Sequence, residues 1–451
     1  MMTFLLETMR AHADSEAIAF DTTVMTYQSL LAHVVAWQDR FGHARVRPGA
    51  VVGMDGHYNA QTLSLLLALM QHRTIIVPLS REAQSHHHEF CDIAQLEYHI
   101  RMTGVTPTIE QTRRQAQHPL YDVLHKREAP GLVLFSSGST GKNKAVVHDL
   151  HLLLKKFQQP RRCWRTLLFL GFDHIGGINT LFYTLSNGGM AVVPADRSPS
   201  GVCQAIQQHR VELLPTSPTF LNFLLLAGVN KTYDLSSLRL ITYGTEPMPQ
   251  STLDRVAQVF PAVKLQQTYG LSELGILRSQ SRDSTSLWVR LGGEGYQIKV
   301  VDNRLWIKAE STMLGYLNAA SALDDQGYFD TGDVVEVDDE WLRILGRASE
   351  VINVGGSKVF PAEVESVLLA LDNVEDAVVY AETNPLTGYT VAATIKLQHV
   401  ESVPQFKIRM RRFCKDRLAP YQIPTRVRFT NEPLHSERFK RMRRAAASQA
   451  L

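Results

Sequence analysis

Cysteine is scarce in this chain of 451 residues. Its four, Cys91, Cys163, Cys203 and Cys414, lie far apart and form no C-x-x-C pair. That pattern offers neither a disulfide framework nor a thiolate metal site, and suits free thiols in a reducing compartment. Long apolar runs are missing as well. The richest, Leu63 to Met70, falls far short of the about 20 residues that a membrane-spanning helix requires. The opening Met1-Met2-Thr3-Phe4-Leu5-Leu6-Glu7 lacks the basic and apolar regions of a signal peptide. Nor is there an excess of one charge: 47 Lys and Arg against 44 Asp and Glu leave a net +3. A general role on nucleic acid or on a membrane surface needs a concentrated basic face, which such a balance argues against. Repeats and low-complexity linkers are absent too. What remains is an ordinary soluble globular protein, expected to be cytoplasmic, without a membrane span and without a nucleic-acid partner.

The length favours at least two domains. Short apolar, β-branched segments alternate with amphipathic ones. Thr74 to Val77, closed by Pro78, reads as a buried strand, as do Thr166 to Leu170, Ala191 to Val193 and Leu238 to Thr242. Gly201 to Arg210 and Pro218 to Ala227 have helical spacing between them. The alternation predicts an α/β fold with mostly parallel, layered sheets. From Leu291 to Ile344 the pattern changes to short strands with turns at Asp302-Asn303, Asp325-Gln326-Gly327 and Asp338-Asp339, which predicts a small β-subdomain. After Gly346-Arg347 a compact α+β unit follows, with a helix over Pro361 to Leu371. The expected division is therefore a large domain over 1–348 and a small, mobile C-terminal domain over 349–451. His86-His87-His88 reads as a solvated turn, because three consecutive residues share no face.

The strongest local signal is Leu132-Val133-Leu134-Phe135 running into Ser136-Ser137-Gly138-Ser139-Thr140-Gly141-Lys142-Asn143-Lys144. A strand ending in glycines, hydroxyls and lysines suits a polyphosphate: backbone N–H groups approach closely and the ammonium offsets charge. It is not a Walker A loop, since Ser136 stands where that loop needs its first glycine. Taken alone, the segment also reads as a flexible surface loop.

Residues 136 to 144 resemble the phosphate-loop signature of the adenylate-forming superfamily, which includes acyl-CoA synthetases, nonribosomal-peptide adenylation domains and luciferases. Asn143 replaces that pattern's proline and Ala145 its last glycine. Further matches follow in the same order along nearly the whole chain. Phe172-Asp173-His174-Ile175-Gly176-Gly177 resembles the motif that gates the acyl pocket, with His174 as the gate and Ile175 beside it. Amino-acid-activating relatives usually have an aspartate at that adjacent position. An isoleucine there leaves an ammonium unpaired, so the resemblance implies a plain carboxylic acid. A slip of alignment onto Asp173 would reverse that reading.

Tyr243-Gly244-Thr245-Glu246-Pro247 resembles the loop that flanks adenine, and Gln267-Thr268-Tyr269-Gly270-Leu271-Ser272-Glu273 resembles Y-G-x-T-E. The resemblance implies that Tyr269 stacks on adenine, the Ser272 hydroxyl meets the α-phosphate, and Glu273 holds Mg²⁺. A flat ring suits a base and a hard carboxylate oxygen suits magnesium. In Tyr328-Phe329-Asp330-Thr331-Gly332-Asp333 the last aspartate matches the ribose ligand, and its two oxygens suit a vicinal diol. Gly346-Arg347-Ala348-Ser349-Glu350 matches the hinge, with Arg347 toward ribose or phosphate and Ser349 at the pivot. Val354-Gly355-Gly356-Ser357-Lys358 resembles the segment that lines the thiol tunnel, where Gly355 and Gly356 leave room for a pantetheine arm. The closing P-x-T-x-x-G-K-x-x-R stretch is altered. Lys440 with Arg443 keeps the K-x-x-R spacing, while Phe439 takes the glycine position and one residue is extra. Lys440 is the expected catalytic lysine, with a solvated basic tail as the alternative.

The resemblance thus implies an AMP-forming acid–thiol ligase. ATP, Mg²⁺ and coenzyme A are its expected cofactors, and a small aryl or fatty acid its substrate. Two other readings stay open: loading of the phosphopantetheine arm of an acyl carrier protein, and a nucleotide-binding protein whose catalytic lysine has been lost. Arg409, Arg411, Arg412, Lys415 and Arg417 are expected either to attract the acceptor's phosphates or to form a solvated helix face.

Overall fold

A computed structural model describes residues 2–102, 107–137, 142–321, 323–436, 439 and 441–443. The alternating segments form two seven-stranded sheets. In the first, Lys264–Gln267, Leu240–Tyr243, Leu213–Thr216, Arg165–Leu167, Met190–Val193 and Glu16–Phe20 run parallel, and Thr23–Thr26 closes the edge antiparallel. The second is ordered Gly315–Tyr316, Asn143–Asp149, Gly131–Ser137, Ile75–Ser80, Val51–Gly56, Tyr98–Arg101, Thr108–Gln111. Its centre is parallel, while Asn143–Asp149 returns antiparallel to Gly131–Ser137 on one side and pairs with Gly315–Tyr316 on the other.

The apolar run at Leu63 to Met70 lies in the helix Ala60–Gln71, which is buried almost all round. Its leucines share one core with Ile18, Ala191 and Val193 of the first sheet and Val52, Met54, Leu132 and Leu134 of the second. The helix Ile175–Leu185 joins the same core, so helices fill the space between the sheets. A helix apolar on every side is one buried on every side. No helix of the described residues is long and apolar enough to cross a membrane. The opposite face of the first sheet is covered by Pro199–His209, Pro218–Ala227 and Gln250–Val259.

Three expectations shift in detail. The strand at Ile75 runs through Pro78 to Ser80. Pro78 stands opposite Met54, whereas pairing with Gly131–Ser137 has ended at Ile76, so the missing N–H costs no ladder bond there. The strand at Thr166 stops at Leu167, where the chain turns toward the helix at Ile175. The β-subdomain, a six-stranded antiparallel sheet, begins at Arg278 rather than Leu291. Its first strand, Arg278–Ser281, is wholly polar and so carries no apolar alternation. The expected turns are where the sequence puts them: Asp302, Asn303 and Asp339 all have positive φ.

After the short turn Ala348–Glu350 comes a five-stranded sheet, built from Ile352–Val354, Ser357–Val359, Val374–Asn384, Gly388–Leu397 and Arg426–Phe429. The helices Pro361–Leu369 and Val403–Cys414 close it around a separate core that includes Val364, Leu368, Phe406 and Met410. It meets the larger part through Asn222 Nδ2, which donates to Glu375 O at 3.0 Å, and Ser251 Oγ, which donates to Ser366 O at 2.9 Å.

Candidate active site

The phosphate-loop strands leave Ser136 opposite Lys144 and Ser137 opposite Asn143. Gly138, Ser139, Thr140 and Gly141, the tip of the expected loop, lie outside the described residues. The return strand is braced by Asn318, whose side chain accepts from Ala145 N at 3.0 Å and donates to Asn143 O at 2.8 Å. Asn143 and Ala145, the two departures from the superfamily pattern, are thereby held as ordinary strand residues.

Edge pairing brings Tyr316 beside this strand, opposite Val146. Its hydroxyl donates to Glu273 Oε1 at 2.7 Å, and Lys144 Nζ lies 5.0 Å from the centre of its ring. Burial and the Glu273 carboxylate push the Tyr316 hydroxyl far above its usual pKa, so it stays a proton donor. Glu273 is further placed by its own backbone, whose carbonyl accepts from Met313 N at 2.7 Å. Buried His148, at the far end of the same strand, donates from Nε2 to the Ser272 carbonyl at 2.5 Å. Burial holds the His148 imidazole below its ordinary pKa, which keeps it neutral. One half-buried carboxylate fits magnesium arriving on a polyphosphate, since Mg²⁺ is usually held by one or two carboxylates plus substrate oxygens. Among the described residues no cluster of three His, Cys, Asp or Glu could hold a metal by itself.

A second cluster adjoins the first through Tyr269. Its ring is buried and its hydroxyl donates to Asp333 Oδ2 at 2.5 Å. Asp333 Oδ1 pairs with Arg347 Nε at 2.8 Å, and Arg347 Nη1 donates to Thr331 O at 2.6 Å. The register Asp333↔Arg347 on adjacent strands sets this pair. The expected adenine, ribose and hinge residues thus touch one another. Gly270 lies in the two-residue strand that follows Tyr269.

Gly244, Thr245 and Glu246 follow the strand Leu240–Tyr243, with Thr245 at φ 73°. Glu246 Oε1 accepts from Thr219 N at 2.9 Å and from the Thr219 hydroxyl. Its Oε2 lies 4.0 Å from Arg441 Nε. Arg441 is buried and pairs with Glu365 at 3.1 Å, while Arg443 grips both Glu365 oxygens at 3.0 and 2.6 Å. Phe439, at the glycine position of the pattern, has φ 53° and packs against Phe169, Phe220 and His435 with ring centres 5.3 to 5.6 Å apart. Positive φ explains why glycine suits that site. Lys440 itself lies outside the described residues.

His174 caps the helix Ile175–Leu185, its Nδ1 accepting from Gly176 N at 3.0 Å. A Cβ at Gly177 would stand 2.0 Å from Gly171 O, so the helix start can approach that loop only with glycine there. Asp173, buried beside it, accepts from Ser80 Oγ at 2.5 Å. Gly355 and Gly356 form the tip of the hairpin made by Ile352–Val354 and Ser357–Val359, with φ 56° and 91°. A Cβ at Gly356 would meet nothing within 4 Å. In this conformation left-handed backbone, rather than a neighbour's approach, calls for these glycines.

Sequence spacing gave no sign of Tyr316, and the one signal for His148 was a histidine ending a buried apolar row, Ala145 to Val147. Of the basic stretch, Arg409 is engaged by Glu401 at 2.7 Å, whereas Arg411, Arg412, Lys415 and Arg417 are exposed.

The chain is 27% identical over 316 residues to a 3-[(3aS,4S,7aS)-7a-methyl-1,5-dioxo-octahydro-1H-inden-4-yl]propanoyl:CoA ligase of Rhodococcus jostii (strain RHA1). That match takes in 66% of this chain and spans 61% of the relative's length. A 2-succinylbenzoate–CoA ligase of Bacillus pumilus (strain SAFR-032) is 25% identical over 469 residues, covering 94% of this chain and 93% of its own. The fold is that of an anthranilate CoA ligase, AuaEII, solved with anthranoyl-AMP. The two share 19% identity with a TM-score of 0.82, over 99% of this chain and 96% of that one. The model of the AMP-binding enzyme family matches residues 5–317, and that of the AMP-binding enzyme C-terminal domain matches residues 363–439. With the first of these spanning well over half of the sequence, the chain belongs to the AMP-binding enzyme family.

Proposed function

We propose that the protein activates a small non-amino carboxylic acid, aryl or fatty, with ATP and then transfers the acyl group to coenzyme A. The observation that carries this reading is the convergence of Lys144, Tyr316 and Glu273 at the mouth of the phosphate-loop strands, next to Tyr269, Asp333 and Arg347. Phosphate-binding, metal-binding and ribose-binding chemistries are thereby contiguous.

In this reading the acid's carboxylate attacks the α-phosphate, an acyl–phosphate bond forms, and pyrophosphate leaves with the electron pair of the broken P–O bond. Charge accumulates on phosphate oxygens, so preorganised cations and donors do most of the catalytic work. Lys144 and the Ser136–Ser137 end of the strand bind the polyphosphate, and the Ser272 hydroxyl donates to the α-phosphate. Mg²⁺ bound by Glu273 would supply further neutralisation of that charge. Tyr269 offers its ring to adenine, with Gly244, Thr245, Glu246 and Gly270 shaping the site. Asp333 and Arg347 orient the ribose, and His174 gates the acid. Lys440 bridges carboxylate and α-phosphate. Of its neighbours in sequence, Phe439 packs on Phe169 and Phe220 of the larger part of the chain, and Arg441, paired with Glu365 in the smaller part, comes within 4.0 Å of Glu246 in the larger, which supports that assignment.

The second half-reaction needs a thiol at the acyl carbon. We assign the pivot to Ser349 in the turn Ala348–Glu350, dividing the chain into 1–348 and 349–451, with Gly355 and Gly356 brought toward the site. Coenzyme A is favoured as acceptor because the relatives named above are CoA ligases. The test is product analysis: ATP, Mg²⁺ and a panel of aryl, fatty and amino acids, with and without coenzyme A. AMP formed only with a non-amino acid, and an acyl-CoA by mass spectrometry, is the expected result. AMP formation with amino acids only would move the role of Ile175 to Asp173. An adenylate that never reaches coenzyme A would favour a carrier protein, and no AMP with any acid would favour a nucleotide-binding protein without catalysis.

A further inference from the structure

Arg441 is buried where the two parts of the chain meet, and the smaller part holds it firmly. Nη1 donates to Ala377 O at 2.8 Å and pairs with Glu365 at 3.1 Å, while Nη2 lies 3.9 Å from Asp376 Oδ1. Glu365 is itself fixed, by Val379 N at 3.0 Å and by Arg443 on both oxygens. Two carboxylates, Glu365 and Asp376, thus face two guanidinium groups, a set that balances within the smaller part.

Glu246 adds a third carboxylate from the larger part. It lies in the loop after Leu240–Tyr243, and its side chain is as buried as that of Arg441, at 6% and 5% exposed. Oε1 is satisfied by Thr219 N at 2.9 Å and by the Thr219 hydroxyl. Oε2 has no hydrogen-bond partner among the described residues, and the one cation within 4.0 Å of it there is Arg441, through Nε. A carboxylate buried without counter-charge is strongly disfavoured. The smaller part can therefore cover Glu246 only while Arg441 faces it. Yet this is the longest of the three ion pairs of Arg441, an attraction with no hydrogen bond to break. Separating the parts would leave Arg441 with Glu365 and Asp376, and return Glu246 to water.

Lys440 directly precedes Arg441 in sequence. The backbone of Arg441 pairs antiparallel with His435, and Met442 N donates to Leu434 O at 3.0 Å. The segment is thus fixed on one side of that lysine by Arg441 and on the other by the Phe439 ring. We propose that Glu246 and Arg441 form a charge latch between the two parts, closed for adenylation and open for thiol transfer. Arg441 is then a positioning residue that acts through Lys440. This rests on the adenylation and pivot readings above and adds what holds the first arrangement.

Two variants test it on the full chain. Glu246→Gln keeps an acceptor for Thr219 and removes the charge, whereas Arg441→Lys keeps a charge beside Glu365 and Asp376 and removes Nε. Benzoate, 3-phenylpropanoate, hexanoate and octanoate are the probe acids. Three quantities are measured: single-turnover acyl-adenylate formation at saturating ATP, transfer from synthetic acyl-adenylate to coenzyme A, and ATP affinity by calorimetry. Each variant should slow the first half-reaction by about tenfold or more, with transfer and ATP affinity within about threefold of wild type. The double variant should be within about threefold of the slower single one, since both remove the same interaction. Additive losses overturn the inference. So does a variant that slows both half-reactions alike, one that weakens ATP binding while keeping the saturated rate, or one that slows neither step. If Glu246→Gln fails to fold, the ratio of the two half-reactions in Arg441→Lys decides alone. A wild-type enzyme that forms no adenylate with any of the four acids overturns the adenylation reading, and this inference with it.

Discussion

Asp333 carries two donors at once, the Tyr269 hydroxyl on one oxygen and Arg347 on the other. A carboxylate offers about four acceptor positions, and a vicinal diol needs two of them. Asp333→Asn should raise KM for ATP by roughly 10- to 100-fold with a smaller effect on kcat, because it replaces one acceptor oxygen with a donor. Steady-state kinetics at varied ATP check this. Glu273→Gln keeps the shape but loses the charge. It should cut adenylate formation by about 100-fold or more, with excess Mg²⁺ restoring part of it. Lys156 makes a prediction in stability. Its pKa falls on folding from the ordinary lysine value of 10.5 to about 7, so between those values the unfolded chain binds the extra proton and wild-type stability rises with pH. Below pH 7 both states are protonated, and the full cost of the buried ammonium is felt. Lys156→Met should therefore be the more stable protein by about 1–3 kcal/mol near pH 6. That gap should close as the pH climbs toward 10. Thermal melts across that range decide it, and a gap independent of pH would contradict it.

Among the elements, the terminal segment around Phe439 has the most at stake. Its ring sits with Phe169 and Phe220 although its φ of 53° costs roughly 1–2 kcal/mol for a residue other than glycine. Phe439→Ala loses the packing and keeps the strain, whereas Phe439→Gly loses only the packing. Both should slow single-turnover adenylate formation, the alanine variant more severely, by about fivefold relative to glycine. Equal rates would mean that the backbone conformation is not what limits docking. Local elements such as Pro218–Ala227 were legible in the sequence because proline at the start and apolar spacing are local signals. The Asp302-Asn303 turn was legible for the same reason. The contacts that assemble the site were not. Tyr316 reaches Glu273 across 43 residues and His148 reaches Ser272 across 124, and no spacing rule spans such separations. Asp333 with Arg347 is the intermediate case. Each was picked out by motif, but their pairing follows from strand register.

Viewed as a whole, the molecule is two packed units that touch through polar contacts such as Ser251 with Ser366 and Asn222 with Glu375, through the buried Arg441 cluster, and through the ring of Phe439 on Phe169 and Phe220. If this arrangement is the adenylate-forming one, fixing it should separate the two half-reactions. Cysteines at Ser251 and Ser366, joined by a short bismaleimide after exposed Cys163 is replaced by serine, should leave adenylation within about threefold. Acyl-CoA formation should drop by at least about tenfold in the same protein. Loss of neither would contradict the pivot at Ser349.

The most direct test of the account is exchange of labelled pyrophosphate into ATP, with no thiol present, across the same acids. Exchange that depends on a non-amino carboxylic acid and on Mg²⁺, and that disappears in Lys440→Ala and Glu273→Gln, is the predicted result. ATP binding without exchange for any acid would contradict it.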